Sequence, residues 1–242
     1  HSDLRRQRQM CIRDRTKYDS DYLLKSLADS KFDSVNIYDC TSQWGVFSIA
    51  GPNSRSFLKK IVVSEDPDKT LSNKEFPWLS YRDIEIGMCP VRALRVAYTG
   101  ELGWELHHPI EMQNYLLDIL LSSGKEFNLK LVGARAQNWL RQEKSYKAFG
   151  SDLGRDAGPF ESNLSRFVDI NKNFLGKDAL LKRKTDVSCV TLLIDGPKDI
   201  DPWGREALYN ETEEVMLGRL TSAGYSVHFK RSIGIGLSLI HI

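Results

Sequence analysis

Apolar positions recur at helical spacing in Asp19–Leu27, where Tyr22, Leu23, Leu24 and Leu27 predict an amphipathic helix. Val35–Tyr38 alternates as a strand does, and Trp44–Ala50 reads as a second strand. Gly51-Pro52-Asn53 then stops the chain and offers Asn53 as N-cap of a helix over Ser54–Ile61, with Phe57, Leu58 and Ile61 on one face. After a charged loop around Asp66–Lys69, strand patterning returns at Tyr81–Ile86 and Pro90–Tyr98. A turn over Tyr98–Glu101 leads into a returning strand over Gly103–His107. Long helices are predicted over Glu111–Ser123, ended by Gly124, and over Ala134–Lys147, with a stop at Gly150.

Strands and helices intermix without strict βαβ alternation, which favours an α+β fold over a doubly wound sheet. From Asp186 the texture changes. Short apolar runs at Cys189–Leu193, Val215–Leu217 and Ser232–Ile235 are separated by Gly- and Asp-rich turns, as in a β-barrel or sandwich. A domain boundary is therefore expected in the Lys-rich stretch Lys177–Lys184, dividing a domain over 19–180 from a partial β-barrel over 185–236. There are no internal repeats and no low-complexity tracts.

The two ends differ from the rest. Gln9–Arg15 and Leu237–Ile242 resemble translated sequencing-adapter read-through, so 1–18 and 237–242 are set aside as non-native or disordered ends. The alternative for the first is a genuine basic arm that binds an acidic partner. On the first reading the chain is an interior piece of a longer protein.

Composition narrows the classes. The chain has 242 residues, 41% hydrophobic and 27% charged with a formal net charge of +2, a globular balance with no electrostatic case for a nucleic-acid or membrane partner. Asp118 interrupts the longest apolar stretch, far short of the ~20 residues a membrane helix needs. Cys11, Cys40, Cys89 and Cys189 form no C-x-x-C pair and no zinc-ligand spacing, which points to reduced thiols in a reducing compartment. His107 and His108 are adjacent, so on a strand they face opposite ways and make poor co-ligands; no metal is expected. No dinucleotide fingerprint, P-loop or nucleophile elbow occurs. The basic helix positions Arg135, Arg141, Lys144 and Lys147 suit a solvated face or an anion contact.

The strongest local signal is Arg95–Leu106, two β-rich runs around a turn whose glycines can take φ > 0. Glu105 sits in its returning strand between Trp104 and Leu106, where a carboxylate needs a partner: a basic side chain, or the paired N–H donors of a ligand.

Tyr98-Thr99-Gly100-Glu101-Leu102-Gly103-Trp104-Glu105-Leu106 resembles the signature of the glycine-cleavage T-protein (aminomethyltransferase) superfamily. Its Leu-Gly-Trp form is most similar to the folate domains of dimethylglycine and sarcosine dehydrogenases. Four further segments resemble the family in order: Gly45–Arg55, Leu140–Lys144, Phe174–Leu180 and Thr221–Ser226 followed by Lys230–Ile233. The resemblance implies a mixed α/β folate-binding fold that binds tetrahydrofolate and forms 5,10-methylenetetrahydrofolate. It implies an FAD-dependent oxidase or dehydrogenase domain elsewhere in the parent chain. The alternatives are an aminomethyltransferase of the glycine cleavage system and a non-enzymatic folate-binding module.

By the same resemblance Glu105 accepts the pterin donors, Tyr98 offers a stacking wall, and Leu106 and His107 continue the pocket lining. Arg166 falls where the family has an aromatic residue facing the pterin, and could stack its planar guanidinium there. The family's arginine maps on Gln137, so Arg135 is not assigned its role. The catalytic aspartate of the family has no match in residues 1–40, so no catalytic residue is assigned and the isolated chain is expected to be inactive. The compartment expected is the cytoplasm or the mitochondrial matrix.

Overall fold

The computed structural model describes residues 16–30, 34–154, 157–183, 186–196 and 201–239. The adapter-like Gln9–Arg15 and the last residues 240–242 lie outside the described residues, as does Cys11. The chain divides into two compact units, one ending at Gly133 and one beginning at Ala134.

The first unit is an antiparallel sheet backed by helices. Its strands are β1 (Trp44–Ala50), β2 (Tyr81–Ile86), β3 (Cys89–Leu94) and β4 (Gly103–Pro109), in the order β1-β4-β3-β2. Its helices are α1 (Thr16–Ala28), α2 (Ser54–Ile61), the single turn α3 (Pro67–Thr70) and α4 (Gln113–Gly124). Alternation along the strands sends Ile84, Ile86, Val91, Ala93, Trp104 and Leu106 into one core with Phe57 and Leu58 of α2 and Leu116 and Leu120 of α4. The other face of β2, β3 and β4 stays at least partly exposed except at Gly103.

Several local expectations are revised. Residues 35–40 form no strand; Val35, Ile37 and Tyr38 are exposed and no ladder pairs them. Helix α2 spans Ser54–Ile61 as patterned, but the Asn53 side chain caps nothing. The Ser54 hydroxyl instead donates to the carbonyls of Gly51 at 2.7 Å and Leu102 at 3.2 Å. Strand β3 ends at Leu94 rather than Tyr98: the Arg95 amide still bonds the Ser80 carbonyl in register, but the Val96 amide turns back to the Leu94 carbonyl at 2.9 Å. Helix α4 starts at Gln113, after a 3-10 turn over Ile110–Met112.

The second unit contains α5 (Ala134–Glu143), α6 (Lys177–Lys182) and an antiparallel sheet of β5 (Val187–Ile194), β6 (Ala207–Tyr209), β7 (Met216–Ser226) and β8 (Arg231–Leu239), ordered β5-β8-β7-β6. Helix α5 closes at Glu143, short of Lys147, because Ser145 turns left-handed (φ +56°) and the Tyr146 amide bonds back to the Arg141 carbonyl at 2.9 Å. Strand β8 runs on through Leu237–Leu239, pairing Leu237 with Cys189 and Ser238 with Ser188. The unit boundary at 133/134 thus precedes the change of sequence texture at 177–184, since α5 packs on β7. Among the described residues no helix is long and apolar enough to cross a membrane.

Candidate functional site

The Tyr98–Leu106 segment forms the end of a β-hairpin. Strands β3 and β4 pair with Leu94 opposite Glu105 and Arg92 opposite His107, and loop 95–102 joins them. Gly100 takes the left-handed φ of +73° that lets the loop reverse, with its amide bonded to the Ala97 carbonyl at 3.1 Å. Gly103 is needed for another reason. It pairs with Ala50 of β1, and a Cβ there would stand 2.5 Å from the Ile49 carbonyl oxygen and 2.8 Å from the Ala97 Cβ.

Trp104, next along β4, is fully buried. The guanidiniums of Arg55 and Arg95 lie 5.5 and 5.9 Å from its ring centroid, and Phe76 meets its edge. Arg95 donates to the Phe76 carbonyl at 2.6 Å. Burial, followed by the charge of Arg55, holds its pKa below the ordinary arginine value. The indole anchors the start of β4 and fixes which way the next residue faces.

That residue is Glu105, and it points away from the core. Its side chain is 35% exposed, and one carboxylate oxygen lies 3.2 Å from the His107 Nε2. The partner that the sequence demanded for this carboxylate is therefore an imidazole on the same strand, not a Lys or Arg. Ser48 of β1 and Leu94 of β3 flank Glu105, and Val46 and Arg92 flank His107. Across the sheet Arg92 donates from two nitrogens to both Asp83 oxygens, at 2.8 and 3.0 Å. That bond is the main reason the Asp83 carboxyl sits below its usual pKa.

The other expected site residues divide. Tyr98 is half-buried in the loop that leads to β4. The Leu106 side chain is fully buried in the core, on the face opposite Glu105, so it offers the exposed face only main chain. The strand also separates the two histidines as alternation requires. His108 is buried, stacked on Phe47 at 4.9 Å, with its Nδ1 2.9 Å from the Leu106 carbonyl. Arg166 belongs to the second unit, in a 3-10 turn over Ser165–Phe167, where its guanidinium covers the Phe167 ring at 4.7 Å. The structure thus brings Glu105 and His107 together directly and sends the Leu106 side chain elsewhere.

A family model, the GCVT N-terminal domain, matches residues 7–172. The chain belongs to the GCVT N-terminal domain family. It is 38% identical over 206 residues to the mitochondrial dimethylglycine dehydrogenase of Mus musculus, covering 82% of this chain and 23% of that protein. It is 31% identical over 217 residues to a formaldehyde-forming 4-methylaminobutanoate oxidase of Paenarthrobacter nicotinovorans, covering 88% of this chain and 25% of that protein. An aminomethyltransferase of Caldanaerobacter subterraneus is 29% identical over 220 residues, with 90% of this chain and 56% of that protein covered. The chain therefore spans only about a quarter of the length of the first two. Its fold is that of the glycine cleavage system aminomethyltransferase T from Bartonella henselae, with a TM-score of 0.65 at 22% identity over 81% of this chain and 51% of that one. The α+β class read from the residues, and the aminomethyltransferase fold that the resemblance implied, are those observed.

Two further motifs of the GCVT-family resemblance meet in the second unit, Leu140–Lys144 and Thr221–Ser226. Gln142 donates to the Ala223 carbonyl at 3.3 Å, and Ser226 to the Glu143 carboxylate at 2.5 Å. Arg141, expected on a solvated basic face or in an anion contact, is buried and donates to the carboxylate of Asp152, and to Ser222, Asn138 and the Tyr146 carbonyl. Asp152 in turn accepts from Thr221 at 2.5 Å, Ser222 at 2.6 Å and the Ala148 amide at 2.8 Å. Gly224 leaves room for α5, since a Cβ there would overlap the Trp139 ring. Asp152 was missed from the sequence; the pairing of the two motifs was the available signal. Of the other basic positions, Arg135 pairs with Asp201 and stacks on Trp139 and Trp203.

Proposed function

We propose that this chain is the tetrahydrofolate-binding part of a flavoprotein like dimethylglycine or sarcosine dehydrogenase. In that role it captures the one-carbon unit released by N-methyl oxidation as 5,10-methylenetetrahydrofolate. The observation that carries the reading is Glu105, a carboxylate turned out of the core, about one-third exposed, beside a strand-mate imidazole. An ionised carboxylate only accepts hydrogen bonds, so its chemistry fits the paired N–H and NH₂ donors of a pterin edge, a charge-assisted bidentate geometry. Partial burial strengthens such a contact without closing the group to a ligand. Tetrahydrofolate supplies the nucleophilic nitrogens that take up the carbon. The chain's residues hold and orient the ring: Glu105 by its donor edge and Tyr98 by stacking.

The 38% identity to a dimethylglycine dehydrogenase, against 29% to an aminomethyltransferase, supports the flavoprotein reading. Oxidation then belongs to an FAD domain of the parent chain, in the mitochondrial matrix or bacterial cytoplasm. A glycine-cleavage aminomethyltransferase is the second reading, favoured by the larger share of that relative covered. The gene upstream of this chain separates the two, since only a flavoprotein carries a dinucleotide-binding motif there. Calorimetric titration of tetrahydrofolate into the chain and its Glu105→Ala variant tests the site. Binding by the wild type and its loss in the variant are expected; no binding by the wild type, or equal binding by both, overturns the reading.

A further inference from the structure

We infer that His107 is the positioning residue for the Glu105 carboxylate. The inference rests on the folate reading above for the identity of the ligand and on the strand geometry for the positioning.

Glu105 and His107 are two apart on β4, so their side chains share a face, and they meet at 3.2 Å through Oε2 and Nε2. The alternative rotamers of a solvated glutamate are thereby reduced. With Nε2 donating to one lone pair of Oε2, the second lone pair of that oxygen and both of Oε1 remain to accept the ligand's paired donors. The neighbouring strands bring few competitors. On β1 the residues opposite the pair are Ser48 and Val46, neither of which titrates in water. On β3 they are Leu94 and Arg92, and Arg92 is already bound to both oxygens of Asp83 on β2. The one cation opposite the pair, Arg92 beside His107, is thus engaged elsewhere and none stands opposite Glu105, so the imidazole is the group that orients the carboxylate locally.

As a donor the imidazole holds Glu105 in one orientation and leaves the carboxylate its remaining lone pairs for the ligand's N–H groups. The acceptor geometry itself should depend on having a donor at position 107.

The test measures tetrahydrofolate affinity of the 242-residue chain at pH 8 for the wild type, His107→Gln and His107→Phe, with melting curves on each. His107→Gln keeps a donor, so it should bind within about threefold of wild type. His107→Phe has no donor and should bind several-fold more weakly without a matching loss of melting temperature. In parallel, the ¹⁵N spectrum of the His107 ring in the ligand-free chain should change on Glu105→Ala. Affinity in His107→Gln as weak as in His107→Phe, full affinity in His107→Phe, or a ring spectrum indifferent to Glu105→Ala overturns the positioning role while leaving the folate reading in place. A wild type that binds no tetrahydrofolate, with the ring contact present, overturns the folate reading and the positioning role with it.

Discussion

The Arg141 guanidinium and the Asp152 carboxylate meet at 2.6 Å with their side chains 1% and 0% exposed. Each charge is matched by further hydrogen bonds, so neither is stranded in the interior. Removing one member leaves the other as an uncompensated buried charge. Asp152→Ala and Arg141→Ala should each destabilise the second unit by about 3–5 kcal/mol. The double variant should cost much less than the sum. Urea denaturation of the three variants checks this; additive losses would mean the two side chains act separately.

At Glu105 the expected losses fall on affinity. Hydrogen bonds to a charged group contribute about 1.5–3 kcal/mol each, so Glu105→Ala should lose on the order of 3 kcal/mol, or ~100-fold, in tetrahydrofolate binding. Glu105→Gln keeps the shape but replaces one acceptor with a donor, and should lose nearly as much. Because the side chain is one-third exposed, melting temperatures should hold. A drop in melting temperature with unchanged affinity would assign Glu105 to stability instead.

Gly103 is a steric requirement of the β1–β4 pair. The Ile49 carbonyl that a Cβ would meet is backbone and cannot swing aside. Gly103→Ala should therefore cost about 1–3 kcal/mol. Gly133→Ala is the control, since nothing lies within 4 Å of a Cβ there, and its effect should stay within about 0.5 kcal/mol.

Glu206 supplies a pH-dependent contribution. Burial alone would raise its pKa, but the amides of Trp203, Gly204 and Arg205 donate to its carboxylate at 2.8, 2.9 and 2.8 Å and hold it below the ordinary glutamate value of 4.5. A carboxyl depressed in the folded state binds its proton more readily when unfolded, so its stabilisation is present above pH 4.5 and lost as pH falls through the lowered value. Glu206→Gln should melt below wild type at pH 7, by about 1 kcal/mol at most for an exposed group, and should match it in strong acid. A difference that persists unchanged at low pH would exclude the carboxylate as its source.

How much of this was legible depended on the range of each interaction. Trp44–Ala50 and Ser54–Ile61 were read to the residue because their patterns are local and their stops, Gly51-Pro52 and the loop before Asp66, are chemical. Val35–Tyr38 carries the same alternation, yet it forms no strand, since a strand exists only where a neighbour pairs it. At the site, strand period put Glu105 and His107 on one face. Register placed Arg92 beside them, and local pattern does not encode register. Arg141 was hardest to place. Its burial depends on Ser222, 81 residues further on, and a helix that reads as basic gives no sign of that.

The sheet order β1-β4-β3-β2 also has a consequence for how the chain comes into being. The first strand made in that unit pairs only with the last. Strands β2, β3 and β4 can zip as neighbours as soon as each is synthesised, while β1 must wait, its edge unsatisfied, until Gly103–Pro109 has emerged. The wall beside Glu105 is therefore finished last, and a nascent chain stalled before β4 presents Trp44–Ala50 as an open template for another strand.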